Sequence, residues 1–128
     1  PVNALGLKYV SKLFARNERV VTVQGTRSGP VTTVMVGAIG VGRITMSFDG
    51  RFITNRGRLT PPVDFGDAGP FLAKGGELGR FHLGSTAIVL LGPGHDYRFM
   101  VDAGKHVRLG QAIVSRGSVP GAPSAGDS

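Results

Sequence analysis

Short runs of apolar residues broken by glycine, proline and charge recur along this chain, and none holds a helical period for long. The clearest is Val20-Val21-Thr22-Val23-Gln24, a β-branched run suited to a strand. Gly25-Thr26-Arg27-Ser28-Gly29-Pro30 has the composition of a turn and leads into a nearly continuous apolar and β-branched run over 31–39. A further strand is expected over 41–48, with Gly37, Gly40 and Gly42 drawing these two strands close together. Residues 4–14 are less regular. Leu5, Tyr9, Val10, Leu13 and Phe14 fit a helix only loosely, which predicts an irregular lead-in anchored by Leu13 and Phe14. Arg16-Asn17-Glu18-Arg19 reads as a polar turn.

From Asp49 to Gly69 the chain is rich in Gly, Pro, Asp and Arg, which predicts a tight turn at Asp49-Gly50, a short strand at 51–54 and a long loop beyond it. Regular structure resumes at Phe71-Leu72-Ala73. The run Ala87-Ile88-Val89-Leu90-Leu91 predicts a buried strand, and Gly92-Pro93-Gly94-His95-Asp96 a turn before another strand over 97–101. Residues 117–128 have almost nothing to bury and are expected to be a disordered tail. A weak internal echo links 75–81 with 104–113, glycines bracketing an apolar-centred turn in each. This pairing resembles the hammerhead hairpins of lipoyl and biotinyl carrier domains. The expected fold is mostly β, a sandwich or barrel-sandwich hybrid of about seven to nine short strands with long loops and little helix.

Composition narrows the classes. At 128 residues the chain is long enough for one core, and its 21 glycines and 8 prolines favour turns over long helices. Without cysteine it has neither disulfide nor thiolate chemistry. The net charge of +7 attracts anions, and eleven of the fifteen cations are arginines, suited to bidentate phosphate or carboxylate contacts. Only Arg51, Arg56 and Arg58 cluster, a loop able to meet an anionic headgroup or simply to stay solvated. Nucleic acid is disfavoured, because the nine aromatic residues do not interleave with the arginines as stacking platforms. No apolar run approaches the roughly 20 residues of a spanning helix, so a soluble or peripheral protein is expected. Opening on Pro1 rather than Met, the chain is expected to be part of something longer.

The histidines offer little. His82, His95 and His106 have no metal-ligand spacing, and the glycine-spaced segment around Gly40 lacks the setting of a phosphate-binding loop. His82 lies three residues before Ser85, on the opposite face if the segment is an extended strand, and is a poor base for that hydroxyl. Ser85 itself is of more interest. In Phe81-His82-Leu83-Gly84-Ser85-Thr86 a hydroxyl follows a glycine at the mouth of a strand, one five-membered ring away from the Gly84 carbonyl. Glycine brings no Cβ to obstruct that attack. Taken alone, the same residues are an ordinary turn into a strand.

Lys74-Gly75-x-Glu77-x-Gly79-x-Phe81-x-x-Gly84-Ser85-Thr86 resembles the self-processing motif of phosphatidylserine decarboxylases. Leu13-Phe14-Ala15-Arg16-Asn17-Glu18-Arg19-Val20 and Val36-Gly37-Ala38-Ile39-Gly40-Val41-Gly42-Arg43-Ile44 resemble two further segments of that family in the same order. The resemblance implies that residues 1–116 are the C-terminal part of a decarboxylase catalytic domain. Ser85 would attack the Gly84 carbonyl, the chain would part there, and Ser85 would become an N-terminal pyruvoyl group. Residues 1–84 would then end the family's β chain and 85–128 form its α chain. The pyruvoyl group is the implied cofactor, an electron sink that turns phosphatidylserine into phosphatidylethanolamine.

The implied partners are phosphatidylserine, an anionic membrane surface and the N-terminal remainder of the enzyme; a homodimer is compatible with them. The implied place is the cytoplasmic face of the cell membrane, held peripherally. A serine hydroxyl needs a base. In the family an aspartate-supported histidine upstream supplies it, ahead of where this sequence begins, so the chain alone is expected to stay unprocessed. Lys74 and Glu77 belong to the motif without an assigned chemical role. The alternative from a different class is a lipoyl- or biotinyl-like β module serving as a carrier or docking unit.

Overall fold

The computed structural model describes residues 5–14, 18–38, 43–50, 61–94 and 96–116, the first of these by backbone. Among them run β1 (Leu5–Phe14), β2 (Glu18–Thr26), β3 (Gly29–Gly37), β4 (Ile44–Met46), β5 (Val63–Asp64), a 3-10 turn (Gly66–Ala68), β6 (Phe71–Leu72), β7 (Gly79–Phe81), β8 (Ser85–Leu91), β9 (Tyr97–Phe99) and β10 (Val114–Arg116). The chain is mostly strand, as its patterning predicts. The main sheet is antiparallel in the order β5-β1-β2-β3-β8, with β6 also on β1, while β4 pairs β7 and β10 pairs β9. The antiparallel sheets match the expected mostly β fold with little helix, and they do not close into a barrel.

β2 shows why this sequence makes strand. Val20, Thr22 and Gln24 are buried while Val21 and Val23 are half-buried, the period of two that a sheet with one core face imposes. The turn into β3 is tighter than composition suggests. Thr26 pairs with Gly29, leaving Arg27 and Ser28 as the loop. The Thr26 hydroxyl donates to the Gly29 carbonyl at 2.7 Å and accepts from the Ser28 N–H at 3.2 Å.

Within the stretch 4–14, expected to be irregular, Leu5–Phe14 forms the ten-residue strand β1. Its register against β2 shifts between Leu7 and Tyr9. That bulge breaks the alternation on which a reading of the sequence depends, and pairing with β2 supplies what local pattern lacks. Glu18 and Arg19 fall within β2, not in a turn. β4 is short and lies on β7, so the glycines near residue 40 do not pair it with β3. β9 ends at Phe99, short of the expected 101. The expected strand at 51–54, the Arg51–Arg58 cluster, the tail at 117–128 and His95 lie outside the described residues.

The core sits between the main sheet and the β4–β7 pair. Val20 and Met35 face Ile44 and Met46, with Phe48, Val63, Phe65, Leu78 and Phe81 packed around them. Phe48 meets Phe65 edge to face, centroids 6.1 Å apart. Gly79 lets β7 come this close, because a Cβ there would stand 2.8 Å from the Thr45 carbonyl oxygen and 2.9 Å from Met46 Sδ. Ile44 is wholly buried. Ile44→Ala is therefore expected to cost about 2–5 kcal/mol and Ile44→Val about 0.5–1.5 kcal/mol, read from urea unfolding midpoints.

β8 is not the buried strand its apolar run predicts. It pairs only with β3 among the described residues, and Ile88 and Leu90 are exposed. Register explains this: Ser85, Ala87, Val89 and Leu91 stand opposite Gly37, Met35, Thr33 and Val31 on the core face, which turns Thr86, Ile88 and Leu90 to the outer face. The core ends before it reaches the full length of this edge strand.

Candidate functional site

The Gly84-Ser85 peptide sits where the chain passes from the small sheet to the edge of the large one. β7 ends at Phe81, the chain bends at His82-Leu83, and β8 begins at Ser85. The link is not an extended strand, which corrects the premise on which His82 and Ser85 were placed on opposite faces. Gly84 turns it with φ +59°, in the left-handed region that side chains disfavour. The motif glycine is thus required by the backbone conformation.

A second constraint acts at the same residue. An added Cβ on Gly84 would stand 2.7 Å from the Ala38 Cβ, so Gly84 is seated against Ala38. Its neighbour Ser85 pairs with Gly37, which is buried. Two small residues, Gly37 and Ala38, therefore form the seat for Gly84-Ser85. Sequence reading placed Val36-Gly37-Ala38 in a matching segment but assigned it no part in the site. Only the β3–β8 register brings the two segments together.

Ser85 shares the core face with Met35 and Val20, yet it is exposed. It stands at the rim of the core, a hydroxyl on an apolar face and open to solvent. At the same end of the sheet, Glu18 Oε2 and Arg19 Nε are buried with no hydrogen-bond partner among the described residues. Buried polar groups without partners are costly, and they are the kind of feature an incompletely covered site carries. Glu18 and Arg19 belong to the stretch that resembles the family, and Arg19 pairs with Val36, which pairs in turn with Thr86.

The other motif residues serve the approach to this turn. His82 donates its N–H to the Arg43 carbonyl at 2.8 Å, and its Nε2 lies 3.0 Å from Thr45 Oγ1, extending the β4–β7 pairing by one residue. Its ring is thereby engaged on the outer side of the small sheet. The Glu77 carboxylate pairs with Arg80 at 3.1 Å, while its carbonyl accepts from the Ser47 hydroxyl. The Glu77–Arg80 pair is exposed on both sides and contributes little to stability. Lys74 and Gly75 make a tight turn closed by Gly76 N–H on the Ala73 carbonyl at 2.9 Å. Lys74 is exposed there.

Among the described residues no three His, Asp or Glu side chains assemble as metal ligands, and no helix is long and apolar enough to cross a membrane. The arrangement can do one kind of chemistry with its own atoms. It presents a hydroxyl beside the carbonyl of an unobstructed glycine held in a conformation few residues adopt.

Comparison with known proteins points to one family. The family model described as phosphatidylserine decarboxylase matches residues 1–115. A phosphatidylserine decarboxylase proenzyme of Methylococcus capsulatus is 38% identical over 115 residues, which are 89% of this chain and 40% of that protein. Proteins of the same description from Ectopseudomonas mendocina and Acidovorax ebreus are 44% and 42% identical, over 88% and 90% of this chain. The chain spans about two fifths of the length of these relatives, 40% and 41% in the last two. No solved structure matches it.

Proposed function

This chain belongs to the phosphatidylserine decarboxylase family, and on that footing we propose that it carries the self-cleavage site of a pyruvoyl-dependent decarboxylase acting on phosphatidylserine. The observation that carries the reading is the seat of Gly84-Ser85: a left-handed glycine pressed on Ala38, followed by an exposed serine at the rim of the core. Ser85 Oγ attacks the Gly84 carbonyl carbon. The new C–O bond replaces the C–N bond to Ser85, whose nitrogen takes up a proton, and an ester results. Loss of the Ser85 α-proton then expels the Gly84 carboxylate and parts the chain. The dehydroalanine left at residue 85 takes up water and releases ammonia, which makes the pyruvoyl group.

The residues fit that outcome. Nothing bulky stands on Gly84 or Gly37, so the carbonyl and the hydroxyl are open to each other and to a proton acceptor. His82 and Glu77 are engaged with Thr45 and Arg80, so neither is assigned as the base that the Ser85 hydroxyl needs. Once formed, the pyruvoyl group supplies the electron sink for loss of carbon dioxide, the protein providing position and exclusion of water. Exposure of Ser85 at the sheet rim gives a lipid headgroup room to approach. This reading gives phosphatidylethanolamine as product, an anionic membrane surface as working place and the rest of the family's fold as partner. It places the protein peripherally on the cytoplasmic face of the membrane.

The carrier-module alternative has less behind it. The family match runs through both echoing segments, 75–81 and 104–113, and what they share is a turn with a left-handed glycine at Gly75 and Gly104.

The test is denaturing mass spectrometry of the polypeptide alone and after co-expression with the remainder of the family's sequence. Two pieces parted between Gly84 and Ser85, the second reactive towards hydroxylamine as a ketone, are the expected result on co-expression. An intact chain under both conditions would reduce Ser85 to a turn residue.

A further inference from the structure

The last described segment of the chain carries an apolar surface that self-cleavage does not use. β9 and β10 pair with Phe99 opposite Val114, and Met100 N–H donates to the Ile113 carbonyl at 2.9 Å, which closes the base of a loop over 101–112. Two tight turns shape that loop. Lys105 N–H donates to the Asp102 carbonyl at 3.2 Å and Gln111 N–H to the Arg108 carbonyl at 3.0 Å; Gly104 and Gly110 take the third position of each with φ +81°.

The second turn is fixed twice, because Gln111 Oε1 also accepts from the Arg108 N–H at 3.0 Å. Leu109 occupies its projecting corner with a relative exposure of 107%. Phe99, Met100 and Val107 are each more than half exposed. A single exposed leucine is ordinary. Four large apolar side chains within one short excursion, on a backbone already held in shape, have lost little further entropy to lose on docking.

Charge narrows the partner. Between Tyr97 and Ser115 the cations are Arg98, Lys105 and Arg108, the only acid is Asp102, and His106 adds a further titratable group. The neighbouring Asp96 is occupied by Arg116 at 3.3 Å. Apolar side chains flanked by cations suit an anionic bilayer, where the apolar groups enter the boundary of headgroups and acyl chains and the cations meet phosphate. We propose that the 99–110 excursion is a membrane-docking loop that inserts Leu109, with Val107, Phe99 and Met100 beside it, into an anionic lipid surface. The proposal rests on the phosphatidylserine reading for its choice of a bilayer over a protein partner. It assigns a membrane contact to residues that play no part in forming the pyruvoyl group.

The chain contains no tryptophan, so Leu109→Trp introduces a single reporter. Vesicles of equal parts phosphatidylcholine and phosphatidylglycerol are expected to shift its emission to the blue, and bromine on the acyl chains to quench it. Added salt is expected to weaken binding, as it does for exposed charges. In co-sedimentation, Leu109→Asp is expected to lower vesicle partitioning by about tenfold or more, whereas Ile88→Asp on the outer face of β8 leaves it unchanged. Circular dichroism confirms that each variant keeps its strands.

An emission maximum indifferent to vesicles, with Leu109→Asp partitioning like the parent, overturns the proposal. So does sedimentation-velocity evidence of self-association abolished by Leu109→Asp, which would show that a second copy covers the surface. None of these readouts needs processing or decarboxylation. Loss of vesicle binding with cleavage intact would strike the loop alone, and the reverse would strike the self-cleavage reading alone.

Discussion

Ser85→Ala is expected to leave the co-expressed protein as one unbroken chain with no carbonyl-reactive terminus, while the fold is retained. The largest effect expected of any substitution here therefore comes from removing one exposed oxygen atom. Ser85 is exposed at the first position of β8, so its loss should change stability by no more than about 0.5 kcal/mol. Chemistry and stability are separated at this position. Without Oγ no ester can form, and no neighbouring group can replace it on the Gly84 carbonyl. Ser85→Thr makes the assignment stricter. It keeps the hydroxyl, so cleavage should continue at a lower rate, and the new terminus should be an α-keto acyl group one methylene heavier than pyruvoyl. A mass spectrum showing that heavier terminus would follow from no turn reading of Gly-Ser-Thr. An uncut Ser85→Thr chain beside a cut parent would mean that the seat cannot admit the extra methyl group. A cut Ser85→Ala chain would sink the mechanism altogether.

Gly84→Ala tests the seat rather than the nucleophile. Two costs act together: the left-handed φ of +59° and a new Cβ 2.7 Å from that of Ala38. Together they are expected to destabilise the fold by about 2–4 kcal/mol, measured by urea unfolding. Displacement of the scissile carbonyl should also slow processing by about 10²-fold. Ala38→Gly in the same chain removes the methyl contact but leaves the backbone cost. The double variant should thus recover part of the lost stability and part of the lost rate, and the shortfall measures what the left-handed conformation requires. Equal values for the single and double variants would show that Ala38 does not seat Gly84. Because the two residues touch, their effects are expected to be non-additive.

Much of this protein is legible along the chain. Burial over Val20 to Gln24 alternates as a strand with one core face must, so the existence of β2 and β3 follows from local chemistry, although pairing carries β2 on to Thr26 and narrows the expected turn to Arg27 and Ser28. The abundance of glycine and proline and the absence of a sustained helical period exclude a helical fold. The order of Gly84 and Ser85 sets a hydroxyl next to an unobstructed carbonyl, an ordinary turn by itself that only the ordered family-like motifs single out as a candidate reactive bond. Those features are local: propensity, period and covalent adjacency act within a few residues.

Tertiary structure decided the rest, because register is a relation between distant segments. β1 exists through its pairing with β2, across a bulge that scrambles its own pattern. The Ala87–Leu91 run looks buried by hydrophobicity alone, but its place at the sheet edge leaves Ile88 and Leu90 exposed. Leu109 has no special neighbour in sequence, and it becomes a projecting apolar corner only through the reciprocal bonds of Arg108 and Gln111. The site follows the same rule. Sequence by itself determined that a hydroxyl follows an unobstructed glycine at Gly84-Ser85; the β3–β8 register, by setting Gly37 and Ala38 beside them, decided how that glycine is held. A side chain's chemistry is written in its residue type, whereas its strain and exposure depend on which distant backbone the fold lays against it.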